Sequence, residues 1–97
     1  MTVPSGAKSG ILVLCGSFWG GPNHIVNFSE PSGDGIISVT KIYDGYPDSS
    51  LPNLYANIHI ATYAVSLKSG GSIAVRAAAE GNIDLYKYPT ASMILLY

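Results

Sequence analysis

Apolar and small polar residues alternate along most of the chain in short runs, at the two-residue period of β-strands. Ile11 to Trp19 departs from that rule. Leu12, Leu14 and Phe18 lie on one side and Ile11, Val13, Cys15 and Trp19 on the other, so both faces are apolar. That pattern belongs to a strand covered on both sides. Gly20-Gly21-Pro22-Asn23 breaks it, His24 to Phe28 predicts a short second strand, and Glu30 to Gly35 is a turn cluster. Ile36 to Tyr43 is rich in β-branched residues, with Ile37, Val39 and Tyr43 expected on one face and Ser38, Thr40 and Ile42 on the other. Residues 44–53 form the longest loop.

Leu54 to Leu67 follows, with Ala61, Tyr63, Val65 and Leu67 opposite Ile60, Thr62, Ala64 and Ser66. Lys68-Ser69-Gly70-Gly71 reads as a hairpin turn that returns Ser72 to Ala79 along it. Ile83 to Tyr88 and Ser92 to Tyr97 complete the strands, and no segment sustains helical periodicity. The expected fold is a single all-β domain over residues 11–97, an antiparallel β-sandwich of jelly-roll type. Residues 1–10, punctuated by Pro4, Gly6 and Gly10, are expected as a flexible arm outside the core.

Composition turns this fold towards assembly. The 97 residues are 47% hydrophobic and 11% charged, against about 25% charged in ordinary soluble domains. A domain this small exposes much of its surface, so with few charges to cover it a symmetric homo-oligomer is expected. The segment Met93-Ile94-Leu95-Leu96-Tyr97 has no polar residue to solvate it and is expected to be buried in a sheet or between subunits. Lys8, Lys41, Lys68, Arg76 and Lys87 are scattered and the net charge is −1, which argues against binding nucleic acid. No stretch nears the ~18–20 apolar residues that span a membrane. The apolar run Ile11–Cys15 is shorter than the core of a signal peptide.

Catalytic chemistry has few candidates. The chain holds no H-x-x-x-H, C-x-x-C, G-x-S-x-G or phosphate-loop pattern, and Asp44-Gly45-Tyr46-Pro47-Asp48 does not match a calcium loop, so no cofactor and no metal are expected. Cys15 reads as a buried, inert thiol within its apolar strand. A nucleophile paired with His24 or His59 would have to be assembled by the fold. A small hydrolase would require one of these histidines within hydrogen-bond reach of a carboxylate. The aromatic loop is a better candidate for binding. Tyr43, Tyr46 and Tyr55 bracket Asp44, Asp48 and Asn53, and Trp19 ends a strand beside Gly20 and Asn23. Flat aromatic faces beside carboxylates and amides suit a saccharide. The same residue types suit a subunit contact, for which Tyr63, Tyr86, Tyr88, Leu95 and Tyr97 are the candidates.

Leu67-Lys68-Ser69-Gly70 after a strand, and the closing strand Ser92 to Tyr97, resemble the end of tumour-necrosis-factor-like and complement-type globular heads. The resemblance covers about residues 58–97. It implies a trimeric jelly roll, and small trimeric jelly rolls of similar style occur in bacteriophage head fibres, tail fibres and capsid-decorating proteins. The implied role is a non-enzymatic virion component that binds itself and other virion proteins, the latter through residues 1–10. The alternative is a receptor- or carbohydrate-binding head that contacts host-surface saccharide through the Tyr/Asp/Asn loop.

Overall fold

A computed structural model describes residues 1–19, 25–45, 56–80, 84–85 and 90–97. All regular structure among them is β: β1 (Ser9–Trp19), β2 (Ile25–Phe28), β3 (Ile36–Gly45), β4 (Ala56–Leu67), β5 (Ala77–Glu80), β6 (Asp84–Leu85) and β7 (Thr90–Leu96). Five strands form one antiparallel sheet in which β4 and β1 are central, β3 flanks β4, and both β6 and β7 pair with β1. β2 and β5 form a separate two-stranded ladder, with Phe28 opposite Ala77.

Register decides which side chains share a face, because residues opposite one another in a ladder point the same way. One face is built from rows running across the sheet: Val39, Val65, Gly10 and Leu95; Lys41, Tyr63, Leu12 and Met93; Asp44, Ala61, Leu14 and Ala91; then His59 beside Gly16. This is the core face. Leu12, Leu14, Ala61, Tyr63, Val65 and Leu67 are buried on it, and Met93 and Leu95 pack against them. The opposite rows are Ser38, Ser66, Ser9 and Leu96; Thr40, Ala64, Ile11 and Ile94; Tyr43, Thr62, Val13 and Ser92; Gly45, Ile60, Cys15 and Thr90.

β3 does not keep the simple alternation expected of it. Its pairing with β4 shifts between Ile36 and Ser38 and again between Lys41 and Tyr43. Each shift inserts one extra residue, Ile37 or Ile42, and each bulge reverses the side to which later residues point. Val39 and Tyr43, expected together, therefore lie on opposite faces, while Ile37 and Ile42 are exposed. Two bulges also blunt β3 as an edge strand.

Residues 1–8 are not an arm outside the core. Val3 and Ala7 are 1% and 2% exposed and belong to the core cluster. Val3 N–H donates to Gly71 O at 2.8 Å, Gly70 N–H to Val3 O at 3.0 Å, and Ile73 N–H to Met1 O at 2.8 Å. In the sequence, Pro4 and Gly6 mask Val3 and Ala7 as core residues. The turn at 68–71 is likewise not a hairpin, since β4 is flanked by β3 and β1. Residues 72 and 74 instead form isolated bridges to Thr2 and Ser32. The crossover needs two glycines back to back: a Cβ on Gly71 would overlap the backbone of Gly35. Lys68 N–H donates to Gly35 O at 2.9 Å and Gly35 N–H to Ser72 O at 2.8 Å across this contact. Asp34 locks it further, accepting from Ser72 N–H at 2.6 Å and Ser72 Oγ at 3.0 Å.

β7 is an edge strand of the described sheet and not a central one. Ile94, Leu96 and Tyr97 are 66%, 53% and 71% exposed, so the apolar end is only half covered.

Candidate functional site

Asp44 and His59 form the one close carboxylate–imidazole pair among the described residues. Asp44 stands opposite Ala61, and His59 is two residues along β4 on the same face. The bulge at Ile42 makes this possible by turning Asp44 towards the core side. His59 Nε2 donates to Asp44 Oδ1 at 2.5 Å. The imidazole is 3% exposed and lies against Phe28, ring centroids 4.9 Å apart and planes tilted by 37°. Lys41 Nζ reaches Asp44 Oδ2 at 3.4 Å from the solvent side. The His59 hydrogen bond, with help from Lys41, holds the Asp44 carboxyl below its usual range against a smaller opposing effect of burial.

This meets the geometric condition for a hydrolase dyad, so what surrounds it matters. The thiol of Cys15 cannot serve it. Cys15 is opposite Ile60, whereas His59 is opposite Gly16, so thiol and imidazole project from opposite faces of one sheet. Nor is Cys15 sealed in a core as expected: it is half-buried on the outer face. His24 lies outside the described residues. Three or more His, Cys, Asp or Glu side chains placed to hold a metal ion do not occur among the described residues. With His59 buried and Asp44 partly exposed, the pair ties edge strand β3 to the core.

The saccharide candidates do not converge where they are described. Tyr43 and Asp44 are adjacent but point to opposite faces. The Tyr43 ring folds over Gly45 on the outer side, where a Cβ on Gly45 would come within 2.7 Å of the Tyr43 hydroxyl. Trp19 ends β1 between Ala56 and Asp84. Tyr46, Asp48, Asn53 and Tyr55 lie outside the described residues.

Among the contact candidates, Tyr63 is corrected. It is 1% exposed in the centre of the core face, where burial raises its hydroxyl pKa, and it offers nothing to a partner. Leu95 faces the core and is half-buried. Tyr97 is exposed. Tyr86 and Tyr88 lie outside the described residues.

The outer face of the sheet is the surface that sequence reasoning did not single out. Its four rows hold Ile11, Val13, Ile60, Ala64, Ile94 and Leu96 among serines, threonines, Tyr43, Gly45 and Cys15, with no charged residue from edge to edge. Ile11, Val13 and Cys15 of the central strand are only half-buried there. The signal lay in the two-faced apolar pattern of β1, and its partners became visible only through the register. No helix among the described residues is long and apolar enough to cross a membrane. Comparison with family models, with curated proteins and with solved structures finds no match to this chain.

Proposed function

We propose that this chain is a non-enzymatic structural protein that works by self-assembly, and that the outer face of its five-stranded sheet is the assembly surface. The observation that carries the reading is four outer-face rows between β3 and β7 that hold no charged residue, crossed by a central strand whose sequence is that of a strand covered on both sides. These rows meet a second copy of themselves without like-charge repulsion, and their apolar residues gain by leaving water. In this reading the two sheets belong to a jelly-roll sandwich, three copies make the working oligomer, and the setting is a virion, as in the phage decorating and fibre proteins the sequence resembles.

Ile94→Lys places a charge on the proposed surface at a site exposed enough to tolerate it in the folded monomer. By light scattering after gel filtration, Ile94→Lys is expected to shift the protein to monomer mass, while Glu30→Lys, on an exposed loop off that face, leaves the oligomer intact. Unchanged mass in Ile94→Lys removes this face from the account.

A further inference from the structure

The two sheets do not close completely on one another. Beside them lies an open recess of about 160 Å³, with Leu14 buried and Val75, Arg76, Ala77, Thr90 and Ala91 exposed around it. It is lined by Leu14 and Ala91 from the core face of the large sheet, by Phe28 and Ala77 from the small one, by Val75 and Arg76 from the segment that leads into β5, and by Thr90 at the start of β7, with Arg76 as its charged group. Leu14 is 2% exposed. Apolar cavities of ~150 Å³ hold a benzene-sized guest, whereas sites for larger ligands run to about 300 Å³ or more. This volume therefore suits one ring.

Arg76 gives the site its sign. Its backbone is fixed where its carbonyl accepts from Ser29 N–H at 3.0 Å. The ion pairs found among the described residues involve Lys41, Asp44 and His59, and none uses Arg76. A guanidinium beside an apolar recess matches a carboxylate fork on an apolar body. Phe28 offers a ring for offset stacking.

We infer that this recess is a binding site for a small aromatic carboxylate, with the ring between Leu14, Phe28, Ala77 and Ala91 and the carboxylate on Arg76. The site is on the core side of the large sheet and does not depend on the assembly reading.

Benzoate is the probe, titrated into the full-length ¹⁵N-labelled protein while amide shifts are followed. Saturable shifts are expected at Phe28, Ala77 and Ala91. Arg76→Gln should weaken binding about tenfold or more, as loss of a charge-assisted bond does. Benzamide, the neutral analogue, should bind weakly by a similar factor, and Ala91→Phe should abolish binding in a protein whose spectrum stays dispersed. Absence of saturable shifts up to about 10 mM benzoate, a concentration above any useful affinity for one ring, overturns the site. Equal affinity for benzamide, or for benzoate in Arg76→Gln, overturns the assignment of the carboxylate to Arg76. The oligomer mass measured in parallel keeps this outcome separate from the fate of the assembly surface.

Discussion

Asp44 reaches His59 only because Ile42 is an extra residue in β3: the bulge turns Asp44 to the core side, one row from the imidazole it binds at 2.5 Å. Replacing Asp44 by Ala removes the carboxylate acceptor from a buried ring, a change that costs about 1–3 kcal/mol. Asp44→Asn, which keeps an acceptor oxygen, should lose less. Urea denaturation of both variants checks this, and equal midpoints for wild type and Asp44→Ala would show that the pair contributes nothing to holding β3.

Acid should weaken the fold through two carboxylates. Asp44 is lowered chiefly by His59, and Asp34 chiefly by the Ser72 backbone N–H and then by its hydroxyl. Both folded values lie below the unfolded one of about 3.9. Their stabilisation is therefore complete above that value and is lost as pH falls through the folded values. Thermal midpoints should decline below about pH 4, and Asp34→Asn should reduce the decline. The same slope in Asp34→Asn would remove that residue from the explanation.

Deleting residues 1–7 should destabilise the domain, because it takes Val3 and Ala7 from the core and breaks the bonds to Gly70, Gly71 and Ile73. Burying Val3 alone is worth about 1.5 kcal/mol or more. A lower urea midpoint with loss of several kcal/mol is expected; an unchanged midpoint would restore these residues to the status of a loose arm.

How much of this was legible beforehand differs by element. β4 follows from alternation, since nothing interrupts its period, and Tyr63, Val65 and Leu67 share the buried face as expected, whereas β1 and β7 follow from continuous apolar runs. β3 misled because a bulge leaves no residue signature in a β-branched run. The 68–71 turn misled because glycines there serve a close backbone crossing with Gly35, which looks like a hairpin turn in sequence. His59 has no carboxylate near it in the sequence. Its carboxylate, fifteen positions away, could be identified only from a register that includes the Ile42 bulge.

Cys15 offers a built-in reporter of the outer face. It is half-buried in the monomer, in the row with Ile60 and Thr90. Its labelling by a maleimide should slow as protein concentration rises through the assembly range, and Ile94→Lys should abolish that dependence. Labelling independent of concentration would place the subunit contact elsewhere.

Sedimentation equilibrium of the wild-type chain at micromolar concentration tests the assembly claim most directly. A mass of three times the 10.2 kDa monomer is expected, and a single species at monomer mass across the concentration range would contradict it.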